Sequence, residues 1–147
     1  MIFADYRRDQ LRRMYLEAWR KFSARQPLEP LEAQIAAVIA DHPEYIPWLE
    51  SGEDVLHAEF TPEGGRENPF LHLGMHLAIR EQVATDRPRG IAEIFRRLTA
   101  QHGSPLEAEH AMLEALGETL WEAQRAGLPP DEQAYLRRLE RLPGARG

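Results

Sequence analysis

Cysteine is absent from the 147-residue chain, which excludes disulfides and thiolate-bound metals and fits a reducing compartment. Lysine is nearly absent: Lys21 is the only one, and the other cations are arginines, a bias expected of a GC-rich genome. Long apolar runs are missing as well. No stretch approaches the roughly 20 apolar residues that a bilayer-spanning helix requires. The opening segment MIFADYRRDQLRRMYLEAW scatters charge through its length, so it reads as neither a secretory signal nor an anchor. The expectation is a cytoplasmic protein with no membrane segment. Period-two alternation is also lacking over any stretch long enough to build a sheet.

What is present is an ordinary globular composition, 43% hydrophobic and 29% charged, in a length that suits one domain over 1–147. The net charge of −6 argues against wholesale nucleic-acid binding, yet the charge is uneven. From Arg7 to Arg25 seven cations face only Asp9 and Glu17, a local balance of +5. Arg7, Arg8, Arg12, Arg13, Arg20 and Lys21 form a basic patch that either is a solvated face or meets an anionic partner such as RNA or a ribosome.

Apolar spacings of three and four predict helices along the whole chain. Leu11, Met14, Tyr15, Ala18, Trp19 and Phe22 make one stripe, and Leu31, Ile35, Val38 and Ile39 make a second, which Pro43 ends. The prolines and aromatics of 42–49 suit a short helix or turn that packs Tyr45 and Trp48 inward. Residues 51–67, punctuated by Gly52, Pro62, Gly64 and Gly65, read as a long loop in which Val55 to Phe60 could form a short strand or helical turn. Asn68 then caps a helix with Pro69 at its first position, running to about Asp86 and apolar on nearly every side, as a buried helix is. Further helices fit Ile91 to His102, Ser104 to Ala126 with a Ser104/Glu107 capping box, and Asp131 to Leu142. Residues 143–147 read as a disordered tail. The predicted architecture is an all-α, compact bundle of five or six helices around the central helix at about 68–86.

That central helix carries His72 and His76 one turn apart, about 40° from each other on a helical wheel, so both imidazoles can address one point. The helix from Ser104 adds a polar stripe of Glu107, His110, Glu114 and Glu118. Facing helices with such stripes build metal sites in bundles. The paired Glu-x-x-His pattern of a di-iron site is not met, which leaves a mononuclear zinc, iron or manganese site on His72, His76, His110 and Glu114. The alternative is a buried hydrogen-bonded network in which Glu114 or Glu118 serves a histidine. His42 and His57 read as surface residues or turn formers. Trp19, Trp48 and Trp121 read as core or interface anchors, with Trp121 placed to pack over the candidate site. Gly74 and Gly117, inside helices, mark close helix approach. No His-Glu-x-x-His, phosphate loop or Gly-x-Ser-x-Gly elbow is present.

Three functions follow from these residues. The first is a non-enzymatic helical protein acting through protein contacts, as a homodimer or with another partner, its core held by a His/Glu network. The second is a metal-binding bundle with redox or hydrolytic activity, and the third, weaker, is RNA or ribosome association through the arginine-rich helix.

Thr61-Pro62-Glu63, the run from Asn68 through Leu73 and His76 to Ile79, Glu81-Gln82, and the turn from Asp86-Arg87-Pro88 to Gly90-Ile91 resemble the bacterial domain-of-unknown-function 1841 family. Asp41-His42-Pro43-Glu44-Tyr45 and the stretch from Glu109-His110 to Trp121 and Arg125 are similar too, so the resemblance spans roughly 28–127. It implies a small cytoplasmic proteobacterial protein and brings no activity, substrate or ligand.

Overall fold

The computed structural model describes residues 8–58 and 68–146. Within them are seven α-helices, two short 3-10 helices and no strand. The α-helices are α1 (Arg8–Ser23), α2 (Pro30–Ala40), α3 (Ile46–Leu49), α4 (Pro69–Thr85), α5 (Ile91–His102), α6 (Pro105–Ala126) and α7 (Glu132–Glu140). The all-α expectation holds, and the count exceeds five or six because the segment 42–49 folds into α3 behind a 3-10 turn at Pro43–Tyr45.

The chain clusters into two compact units, Met1–Leu77 and Ala78–Gly147, with the boundary inside α4. In the first, α1 packs on α2, and Tyr15, Ala18, Ile35, Val38, Ile39, Leu49, Val55, Phe70, Leu73 and Leu77 form one buried cluster. Gly74 lies close to α1, as the sequence suggested: a Cβ there would meet the Tyr15 hydroxyl at 3.4 Å, an ordinary van der Waals contact. In the second unit α5 packs on α6, and α7 on both.

Local signals set the helix boundaries. The Asn68 side chain accepts from the Phe70 and Leu71 N–H groups at 3.0 and 3.2 Å, which starts α4 where the sequence placed it. Ser104 Oγ likewise accepts from the Glu107 N–H at 3.1 Å, while Gly103 and Gly127 take left-handed conformations that stop α5 and α6.

The loop expected at 51–67 is in its first part a folded anchor. Glu53–His57 form a 3-10 helix with Val55 and Leu56 buried, and residues 59–67 lie outside the described residues. Donors from α1 hold it: Arg12 Nη1 reaches the carbonyls of Leu56 at 3.0 Å and Ala58 at 2.9 Å, and Arg8 Nη2 reaches Ala58 at 2.7 Å. At the other end the expected tail is, as far as Arg146, folded back. Ala145 is buried, its carbonyl accepts from Arg97 at 3.5 Å, and Gly144 lies against Gln101.

Each unit buries a tyrosine whose phenol is pushed well above the ordinary value by desolvation, Tyr15 in the first and Tyr135 in the second. Tyr135 also donates to Gln82 Oε1 at 2.7 Å. In the unfolded chain both ionise near about pH 10. Above that pH the unfolded state binds fewer protons than the folded one, so stability present below pH 10 is lost as pH rises. The limiting slope for two groups is about 2.7 kcal/mol per pH unit. Urea unfolding at successive pH values above 10 checks this, and Tyr15→Phe should remove about half of the slope.

Candidate metal centre

The stripe that α2 buries, Ile35, Val38 and Ile39, continues for one more step to His42. Its backbone N–H still bonds to the Ile39 carbonyl at 2.9 Å, but Pro43 cannot prolong the helix and the chain turns. The 3-10 turn that follows lays the Tyr45 ring over the His42 ring, with centroids 5.8 Å apart and planes 5° from parallel. His42 is 1% exposed, which corrects the expectation of a surface residue or turn former. His57 is exposed, as expected.

Across from His42, α4 delivers the two histidines singled out in the sequence. His76 is fully buried and His72 half-buried. Three ring nitrogens converge. His42 Nε2 lies 3.1 Å from His76 Nε2, and His76 Nε2 lies 3.1 Å from His72 Nε2. The His42 and His72 rings meet edge to face at 5.1 Å, and Tyr45 presents its ring edge-on to His72 at 5.9 Å.

Proton accounting makes this arrangement informative. His42 Nδ1 lies 2.7 Å from the Val38 carbonyl, and a carbonyl only accepts, so Nδ1 carries the proton and a neutral His42 has a bare lone pair on Nε2. His76 Nε2 must then serve two neighbours with one site. If it bears a proton, that proton goes to one neighbour and leaves the other contact without a hydrogen bond. If it is bare, it can accept from His72 and faces the His42 lone pair at 3.1 Å. No pattern of three neutral imidazoles turns both contacts into hydrogen bonds. A shared cation satisfies all three lone pairs at once. The two contacts lie between the ligand spacings of octahedral and tetrahedral sites, which are about 2.8–3.0 Å and about 3.3–3.4 Å for bonds of about 2.0–2.1 Å.

The remaining sequence candidates sit in the second unit. His110 is half-buried on α6, with Nδ1 3.5 Å from Glu107 Oε1. Glu114 and Glu118 are exposed, and Glu118 lies 3.5 Å from Arg138, so the buried carboxylate partner expected of them is not found there. The buried carboxylate of α6 is Glu109, 4% exposed and held by Arg80 Nε at 3.0 and 3.2 Å. Sequence reasoning missed it because Glu109 follows Ala108 on the stripe toward Met112, where a carboxylate looks like an interruption. Glu109→Ala should cost about 2 kcal/mol, since it strips a charged bond from a half-buried guanidinium that can turn to water. Glu114→Ala should stay within about 0.5 kcal/mol. Thermal denaturation of the two variants separates them.

Trp121 is 56% exposed with the Arg125 guanidinium 4.7 Å above its ring, so of the two expected roles, core or interface anchor, the core one does not hold. The basic patch is also largely spent within the fold. Arg12 is buried, Arg8 bonds to Ala58, Arg20 pairs with Glu17, and Lys21 lies 2.9 Å from Glu32. Arg13 is exposed, and Arg7 lies outside the described residues.

The family model described as a domain of unknown function, DUF1841, matches residues 7–141. The chain belongs to the DUF1841 family. No curated protein and no solved structure matches it. DUF1841 membership therefore brings no assigned activity, and the chemistry rests on the three imidazoles. Among the described residues of this DUF1841 protein, no helix is long and apolar enough to cross a membrane.

Proposed function

We propose that the protein binds a transition-metal ion through His42, His72 and His76, in the cytoplasm of a bacterium. The observation that supports this reading is the pair of 3.1 Å nitrogen contacts around His76, which neutral imidazoles cannot both satisfy and a cation can. Neutral imidazole suits zinc and iron, whereas manganese prefers carboxylate and water oxygens. With Glu114 exposed, zinc or iron is favoured over manganese. His110 stays in the proposed ligand set. The ion would give the small helical protein either a folding clamp or a Lewis acid for hydrolytic or redox chemistry.

Untagged protein, dialysed and analysed for metals, should carry about one equivalent of zinc or iron per chain, or take it up on reconstitution. A preparation that binds neither at micromolar concentrations removes the proposal. His42→Ala should abolish uptake. Unchanged affinity in His110→Ala would strike that residue from the set.

A further inference from the structure

We infer that Tyr45 is a positioning residue of the metal centre, whose ring aims His42 and holds the metal-bound imidazole more tightly than the free one. The inference rests on the metal reading above and adds to it a residue that sets the affinity of the same site.

Geometry supports it first. An imidazole delivers its lone pair to one point only when two things are fixed, the direction of the nitrogen within the ring plane and the tilt of that plane. For His42 the direction is set by Nδ1, 2.7 Å from the Val38 carbonyl, which leaves Nε2 to face His76. The tilt is set by Tyr45. Its ring lies 5° from parallel with the imidazole at a centroid distance of 5.8 Å, inside the range of offset stacking. Tyr45 is half-buried and packed against the cluster that holds Val38 and Ile39, so it backs His42 from a fixed place. The same ring meets His72 edge to face at 5.9 Å, and the two imidazoles stand 5.1 Å apart. One aromatic side chain thus touches a ligand at the end of α2 and a ligand on α4.

Electrostatics supports it second. An ion bound at Nε2 draws electron density from the imidazole and leaves that ring partly positive. The face of a phenol ring is negative, and it attracts positive charge within about 6 Å of its centroid. The stack therefore strengthens when metal arrives. A contact that is stronger in the loaded protein than in the free one contributes to affinity, whereas a contact equal in both contributes to folding alone. An aliphatic side chain of similar bulk supplies the packing without the gain.

The test measures the zinc affinity of the full-length wild type, Tyr45→Phe and Tyr45→Leu by competition with a chromophoric chelator, beside the melting temperature of each zinc-free protein. Tyr45→Phe keeps the ring face and should bind within about twofold of wild type. Tyr45→Leu should bind about 10-fold more weakly, a loss typical of removing a group that orients a ligand. A purely structural role would lower the zinc-free melting temperature of Tyr45→Leu and leave its affinity unchanged. That outcome overturns the inference and leaves the metal reading standing, as does a Tyr45→Phe protein that binds as weakly as Tyr45→Leu. A wild-type protein that takes up no zinc, cobalt or iron defeats both. If Tyr45→Leu does not fold, nuclear magnetic resonance of the wild type decides: through-space contacts between the Tyr45 and His42 ring protons should persist on zinc loading, and their disappearance overturns the inference.

Discussion

Replacing His76 by alanine should erase the stabilisation expected of zinc bound at the proposed centre. At free zinc about 100 times its dissociation constant, a single site that binds only the folded state adds about 2.7 kcal/mol. In a chain of this length that corresponds to a rise of about 5–11 °C in the melting temperature. His76 is the hub of the centre, its Nε2 3.1 Å from the Nε2 of each of the other two imidazoles, and its loss removes the nitrogen that lies between theirs. Affinity should fall by more than about 100-fold, since changes to supporting groups alone reach that size. Without metal the variant should be weaker by about 2 kcal/mol, from the cavity it leaves and from the partners stripped of a contact. Melting curves of both proteins, with and without zinc, give the two quantities independently. A zinc-induced rise of equal size in His76→Ala would place the ion elsewhere.

The second large effect is expected far from the histidines, at Arg12. A charged patch on an amphipathic helix ordinarily tolerates substitution within about 0.5 kcal/mol, and Arg13→Ala should do so. Arg12→Ala should cost about 3 kcal/mol or more. The guanidinium is 4% exposed, donates to the carbonyls of Leu56 and Ala58, and lies 4.8 Å from the centre of the Phe70 ring. Removing it strips the side-chain donor from the buried Leu56 carbonyl, a penalty of about 1–3 kcal/mol, and also loses a bond to Ala58 and the contact with Phe70, while the Ala58 carbonyl keeps its bond from Arg8. Arg12→Lys should recover little, because a single ammonium cannot reproduce the planar fork or its stacking on Phe70. Chemical denaturation of the three variants orders them. An Arg12→Ala protein as stable as Arg13→Ala would contradict the described burial.

The same residue shows what a sequence can and cannot display. The helices were legible because each carries its own punctuation: Asn68-Pro69, Ser104-Pro105, Gly103 and Gly127 act within a few residues of where they stand. His72 and His76 were legible for the same reason, since their spacing on one helix is local. Arg12 was not, because a charge on a helix looks alike whether it faces water or carbonyls more than forty residues away. His42 failed differently. Its position extends the run Ile35, Val38, Ile39 by one helical step, a signal that was present, but Pro43 directs attention to the end of the helix rather than to the last residue that still shares its buried face. The carboxylates misled because periodicity identifies a stripe without showing which side of it is covered; on α6 that is Glu109, while Glu114 and Glu118 lie in solvent.

The spacing of His72 and His76 on α4 also bears on how that helix comes into being. Starting a helix is unfavourable by a factor of about 10⁻³, because a whole turn must be fixed before its first hydrogen bond is made, whereas extension from an existing turn is nearly free. An ion bridging residues four apart holds that one turn closed. Such a clip sits mid-helix, with Pro69 one turn before it and Thr85 more than two turns after, so winding can spread from it in both directions along a single hydrogen-bonded rod. An ion held as proposed would therefore favour the helical form of 69–85, the segment that displays two of its ligands.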